Sequence, residues 1–309
     1  SVKIESACSS GASAFRAGIM AVASGEIDSA MIVGVEKMTD SAPTEVTSAL
    51  ATAADSDWEL EQGVSFVGLN ALIMQRYMHE YGWKHEDFAP FSLNAHANAA
   101  HNPNARLPFA ITSKQYLNAG MIAEPINLMD ASPIGDGAAA TLIVPLDTVR
   151  GEKRAIQILG SGAATDTISV HSRKTPLFLQ AAYLSVQRAY TQAGITSNDV
   201  DFFELHDAFS IMSALSLEAC GFAEEGKGPN LGLDNEITPK GGRIPICTRG
   251  GLKARGHPVG ATGMYQIVES VQQLRGECGE TQVKDAKIGM AQNIGGSGAS
   301  ILTHILKKV

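Results

Sequence analysis

Residues 250–263, GGLKARGHPVGATG, constrain this chain's fold more than any other stretch. Five of these positions are glycine, and a histidine stands between glycine and proline. Glycine permits positive φ and close backbone approach, while Pro258 fixes φ and withholds a donor. Directly after it, Met264 to Leu274 places Ile267, Val268, Val271 and Leu274 at helical spacing, so the turn feeds a helix N-terminus. His257 is therefore presented on a tight, pre-shaped turn. That geometry suits proton transfer and requires a nucleophile elsewhere in the chain.

The rest of the chain reads as strand–turn–helix units that could carry such a turn. Val2 to Glu5 is a strand candidate leading to Ser6-Ala7-Cys8-Ser9-Ser10-Gly11, followed by a helix of small residues from Ala12 to Ala23 and, by its continuous apolar character, a buried strand from Ser29 to Val35. From Thr39 to about Leu128 strand alternation nearly vanishes. Helical periodicity over Leu69–Tyr81 and Pro90–Ala100, the latter with a polar face carrying His96, predicts a mostly helical excursion. A turn and strand over Asp136–Val144 return to the α/β pattern. The boundary of two halves falls in Leu146–Lys153, which divides the chain into 1–150, with a loop domain at about 40–128, and 151–309. In the second half, strands are expected at Ala155–Leu159, Val200–Leu205, Lys287–Gln292 and Ser300–Leu306. Helices are expected at Leu179–Ala193 and Ile211–Cys220, and Gly226 to Arg243 reads as loop. A faint repeat links the halves: a reactive residue on a small-residue turn, a helix, then an apolar strand.

Composition narrows the function classes. The net charge of -8 (24 basic, 32 acidic) and the lack of a basic stripe argue against nucleic acid as the main partner. No apolar run approaches the ~20 residues of a membrane span. Cys8, Cys220, Cys247 and Cys278 are irregularly spaced and read neither as a disulfide framework nor as a zinc site, so a reducing, cytoplasmic setting is expected and no metal. The chain starts without an initiator Met inside a strand-like run, which suggests a fragment whose beginning is missing.

Cys8 ends a strand candidate and opens a helix, where the helix dipole and free N–H groups favour thiolate; a buried structural cysteine is the alternative. His206, in His206-Asp207-Ala208-Phe209, ends a strand and could donate to an oxyanion, or serve as a cap or core residue. Asn293 opens the glycine turn Asn293-Ile-Gly-Gly-Ser-Gly298, where an amide could orient a histidine or water, or simply satisfy the turn. One nucleophile and two histidines at strand ends form a coherent set.

Together these motifs resemble the thiolase superfamily over nearly the whole chain. Glu5-Ser-Ala-Cys-Ser-Ser-Gly11 is similar to its nucleophilic-cysteine motif, His206-Asp-Ala-Phe209 to the Asn-Glu-Ala-Phe motif in its His-Asp form, and Gly256-His257-Pro258 with Gly-Ala-Thr-Gly263 to the third motif. Gln292-Asn293-Ile294-Gly295-Gly296 stands where many thiolases carry Cys-x-Gly. The His-Asp form resembles the sterol-carrier-protein-type and archaeal-type thiolases, and the run Gly251–Gly260 looks most like the archaeal-type branch.

The resemblance implies an α/β fold, a five-layered αβαβα sandwich of two similar halves with the loop domain inserted in the first. It implies acyl transfer through an acyl-Cys8, with His257 accepting the thiol proton and His206 holding the thioester oxygen. It also implies coenzyme A as co-substrate with no permanently bound cofactor, and a homodimer or homotetramer. From the archaeal branch it implies a possible complex with an OB-fold, zinc-ribbon protein and HMG-CoA synthase. One departure matters. Asn293 occupies the place of the second cysteine and Ala208 the place of another, and an amide cannot act as a base at neutral pH. Either a histidine removes the α-proton, Cys247 substitutes spatially, or the enzyme depends on a partner. Alternatives are a ketosynthase-like or retro-aldol homologue, and a non-catalytic acyl-CoA-binding subunit.

Overall fold

The computed structural model describes residues 1–309. In chain order it contains helix α1 (Ser10–Ala23), strand β1 (Ala30–Glu36), helices α2 (Pro43–Ala51), α3 (Phe66–Tyr81), α4 (Ala89–Ala99) and α5 (Ser113–Leu117), and strands β2 (Met121–Ala123), β3 (Ile126–Asn127) and β4 (Gly137–Ile143). The second half supplies β5 (Ile156–Thr165), α6 (Gln180–Ala193), β6 (Phe202–Glu204), α7 (Ser210–Ala219), α8 (Gly228–Leu233), α9 (Thr262–Arg275), β7 (Ile288–Gly295) and β8 (Ser300–Lys308).

Two sheets organise the core, and β2 pairs with β3 in a separate short ribbon. β1 and β4 pair antiparallel, from Ala30 opposite Ile143 to Glu36 opposite Gly137. The larger sheet has the order β5-β8-β7-β6, with β6 parallel to β7 and the other pairs antiparallel. Helices α1 and α9 lie against each other between the sheets: α1 packs on β1, and α9 reaches β4 on one side and β7 on the other. Their apolar faces explain this. Phe15 and Val22 of α1 join Met264, Ile267 and Leu274 of α9 in one buried cluster with Ile32 and Phe202. Burying each such large side chain contributes about 1.5–3 kcal/mol. On the far side of the larger sheet α6 covers β5 and β8 and contacts α7, whose ten residues are all buried.

The layers follow the expected α/β sandwich order, and the outer face of the β1–β4 sheet is bare. Met31 is 72% exposed, Val35 67% and Leu142 60%. The continuous apolar run at Ser29–Val35 predicted a strand buried on both faces; only the Ile32 and Gly34 face is covered.

Other departures have local causes. Val2–Glu5 is not a strand, because no neighbouring strand pairs with it and the only bridge in the segment joins Ser6 to Cys8. The stretch Ser41–Asp57 contains α2, which starts at a proline, with the Glu45 carboxylate accepting the Ala42 N–H. The loop Gly226–Arg243 contains the short α8. Asn293 lies within β7, opposite Leu302, rather than on the glycine turn that follows. The polar face of α4 is buried: Asn94 and Asn98 donate to the carbonyls of Ile246 and Cys247, and Asn102, just beyond the helix, donates to Arg249. This asparagine row clamps the segment leading into Gly250.

Candidate active site

Cys8 sits on a turn locked by its own serines. Ser9 Oγ donates to the Ser6 carbonyl, Ser10 Oγ to the Ala7 carbonyl, and the Ala7 N–H to Glu5. Ala7 takes a φ of 48°, a left-handed conformation that aims the next residue away from the path into α1. The His257 turn reaches this one because both surfaces lack side chains. A Cβ on Gly11 would lie 2.8 Å from the Met264 nitrogen and 2.9 Å from the Gly260 carbonyl oxygen, and one on Gly263 would overlap the Ala12 nitrogen. The glycines of the two motifs therefore bring the Cys8 and His257 turns into direct backbone contact. Glu36, at the end of β1, steadies the second turn by accepting the Gly260 N–H at 2.9 Å.

The Cys8 sulfur and one nitrogen from each of His206 and His257 all lie within 4.8 Å of one another. The two rings meet edge to face with centroids 5.2 Å apart. Their second nitrogens are held by different groups. His257 Nδ1 lies 2.7 Å from Thr262 Oγ1, and that hydroxyl already donates to the Pro258 carbonyl. With the hydroxyl proton directed to that carbonyl, Oγ1 accepts from Nδ1–H, and we assign His257 the tautomer whose Nε2 carries a free lone pair. His206 Nδ1 lies 3.0 Å from the Asn293 amide nitrogen, which donates to it and leaves the His206 proton on Nε2. One histidine is arranged as a base and the other as a donor.

Charges behind the His206 turn fix its position. Asp207 accepts the Leu252 N–H at 2.6 Å, and its backbone carbonyl accepts Lys253 Nζ at 2.9 Å. Lys253 is buried, and the ammonium stands 3.9 Å from the Asp207 carboxylate. Arg255 pairs with Glu269 at 2.8 Å and lies over the Tyr265 ring. Gly251 has φ 53°, and any Cβ there would strike the Asp207 carboxylate.

Burial sets the protonation states. The Cys8 thiol is pushed up to about 12 by desolvation, outweighing the hydrogen bonds from the Gly296 and Cys8 backbone that lower it. Desolvation thus opposes the thiolate that the helix start favours, at a Cys8 that is itself half-buried on the cavity wall. Desolvation, with Arg255 adding to it, lowers His257 to about 3. His206 falls well below its ordinary value through desolvation and then the charges of His257, Arg255 and Lys253. Both rings are neutral at physiological pH.

These groups open onto a cavity of about 1030 Å³ whose lining includes Cys8, His206, His257, Ala208, Met212 and Leu50. Asn293 is buried behind His206. Cys247 does not reach the cavity; its thiol is buried toward the Leu205 carbonyl and raised well above its usual value by desolvation and Asp207. Cys220 is contacted by Gln292, and Cys278 is buried elsewhere. Spatial substitution by Cys247 is thereby ruled out in this conformation, and Cys8 is the one cysteine that lines the cavity. Thr262, Lys253 and the asparagines of α4 were not singled out in the sequence. Thr262 had a usable signal, a hydroxyl five residues after His257 at the start of the helix.

Comparison with known proteins agrees with this geometry. Residues 1–147 match the thiolase N-terminal domain and residues 162–308 the thiolase C-terminal domain-like family. The chain is 44% identical over 309 residues to acetyl-CoA acetyltransferase from Methanothermobacter thermautotrophicus, covering all of this chain and 80% of that protein. It is 38% identical to acetyl-CoA acetyltransferase from Methanocaldococcus jannaschii, covering 99% and 79%. Among solved structures, the Ltp2-ChsH2(DUF35) aldolase superposes with a TM-score of 0.86 at 24% identity, covering 98% of this chain and 78% of the other. No helix is long and apolar enough to cross a membrane. With a cysteine and two histidines of opposite tautomer at one cavity, and both thiolase domains matched, this chain belongs to the thiolase family and is an acyltransferase.

Proposed function

We propose that this protein makes or cleaves the carbon–carbon bond of a 3-ketoacyl-CoA through an acyl-Cys8 intermediate, with His257 as the single base. The observation that carries this reading is the complementary tautomer pair. In the first half, Cys8 Sγ attacks the thioester carbon as its proton passes to His257 Nε2. His206 Nε2–H donates to the developing oxyanion, and the coenzyme A thiolate leaves with the proton from His257. Because the thiol lies near 12 and the imidazole near 3, the proton moves together with the attack and not before it. In the second half His257, neutral again, takes the α-proton of the second acyl-CoA. The resulting carbanion attacks the acyl carbon, and Cys8 leaves as thiolate and recovers the proton. Asn293 acts by holding the His206 proton on Nε2, and not as a base.

Coenzyme A is the co-substrate in this reading. The cavity lining carries one cation, Lys37, against Glu5, Glu36 and Glu45, so the nucleotide phosphates meet no basic cluster here. This supports a partner that supplies it, such as the OB-fold, zinc-ribbon protein of the archaeal systems, working with HMG-CoA synthase. Homo-oligomerisation, the division into halves at 1–150 and 151–309, and a reducing cytoplasmic setting consistent with four free cysteines belong to the same proposal. A retro-aldol or ketosynthase-like reaction is the second reading, favoured by the lack of another thiol at the cavity.

The test is incubation with acetyl-CoA followed by intact mass measurement and acetoacetyl-CoA thiolysis, with and without the partner. Acetylation that disappears in Cys8→Ala, together with thiolysis, is the expected result. A protein that stays unmodified under all these conditions would overturn the proposal.

A further inference from the structure

We infer that the Cys8–His206–His257 cluster is also a high-affinity site for a soft divalent cation, Zn²⁺ above all, whose binding reversibly blocks acyl transfer. This rests on the acyl-transfer reading only for its functional consequence, and the binding itself stands on the side-chain geometry.

Three ligand atoms of the types zinc prefers, a sulfur and two imidazole nitrogens, lie within 4.8 Å of one another. A tetrahedral centre with bonds of about 2.0–2.3 Å holds its ligand atoms about 3.5 Å apart, so the widest pair must close by at most about 1.3 Å, shared between two side chains. All three residues line the cavity, so the fourth position is open to water, the arrangement of three protein ligands and one exchangeable site.

The surroundings also fit. Metal-bound histidines fix their other nitrogen through a hydrogen bond to an acceptor. Thr262 Oγ1 already accepts from His257 Nδ1. His206 must move its proton from Nε2 to Nδ1, and Asn293 can receive it by turning its amide, because Asn293 Oδ1 is buried with no partner of its own. Arg255 and Lys253 oppose added charge on the two rings, and the Cys8 thiolate formed on binding offsets part of the dication's charge. The step balances without redox chemistry. The Cys8 S–H bond breaks, an S–Zn bond forms, and the proton leaves to solvent. Acylated Cys8 has no thiolate to give, so substrate and metal exclude each other.

Cobalt(II) is the probe. Titration of the full chain is expected to give a thiolate-to-cobalt charge-transfer band with ligand-field bands of tetrahedral intensity, displaced by Zn²⁺ and removed by chelator. Cys8→Ser and prior acetylation of Cys8 should each abolish the band, whereas Cys278→Ser should keep it. Thr262→Val and Asn293→Ala should each weaken binding about 10–100-fold, the loss typical of outer-shell partners. Absence of the band in protein that acetylates normally at Cys8, or a band that survives Cys8→Ser, would overturn the metal site and leave the acyl-transfer reading intact. A Cys8-dependent band in protein that never acetylates would support the metal site while the acyl-transfer reading fails.

Discussion

The two histidine turns do related jobs by different means. The His206 turn is held by charge: Asp207 takes the Leu252 N–H, and Lys253 reaches back to the Asp207 carbonyl. The His257 turn is held by shape, through glycines that admit the Cys8 turn and one hydroxyl that sets the ring. The donor is thus positioned electrostatically and the base sterically. Defects in the first should leave a buried charge stranded, and defects in the second should cause collisions.

The largest effect is expected at the base itself. His257→Asn should lower acyl transfer by about 10²–10⁴-fold, the usual worth of a positioned general base, while Cys8 stays open to alkylation. Rates measured on acetyl-CoA, with iodoacetamide labelling as the control, check this. Lys253→Met strands the Asp207 carboxylate, and breaking such a pair costs about 3–5 kcal/mol; urea unfolding reads the loss. Lys253→Arg should recover less than half, because the longer guanidinium does not fit a fully enclosed ammonium site. His206→Ala should reduce turnover by about 10²–10³-fold, as removal of one oxyanion donor does. If His206→Ala costs far more than His257→Asn, the roles of the two turns are reversed.

Shape gives the next smaller change. Gly11→Ala places a methyl against the Met264 nitrogen and the Gly260 carbonyl, and overpacking of this kind costs about 1–3 kcal/mol. Its sharper signature is kinetic: acyl transfer should fall although every polar group remains. The smallest effect concerns pH. Because burial lifts the Cys8 thiol to about 12, its thiolate fraction, and so its alkylation rate in the free enzyme, should still be rising above pH 9. A plateau near pH 8 would show that the thiol is not desolvated as described.

Much of this was legible in the sequence, for reasons that differ by residue. Cys8, His206 and His257 stood out because glycine, proline and strand ends punctuate the chain around them, and the structure brings all three together. Asn293 was singled out, yet as a turn residue. The following Gly-Gly-Ser-Gly pulled the turn forward, whereas pairing with β8 carries the strand through Asn293 to Gly295. The α4 asparagines went unmarked on a helix noted only for its polar face, because polarity alone does not tell water from a backbone carbonyl across the core. Lys253 and Asp207 were invisible as a pair, being 46 residues apart and joined only by the fold. The strand at Ser29–Val35 was read correctly as a strand, but its apolar run did not reveal that one face lacks a cover.

The glycine contact between Gly11 and the Gly260–Gly263 turn has a consequence for motion. Where backbone rests on backbone, no side-chain rotamer can absorb a small relative displacement, so the nucleophile and the base drift together or not at all. Amide protons at Gly263 and Met264 should therefore exchange with solvent only through the rarest openings of the molecule, at rates close to those of global unfolding, while the helices of the excursion exchange far sooner.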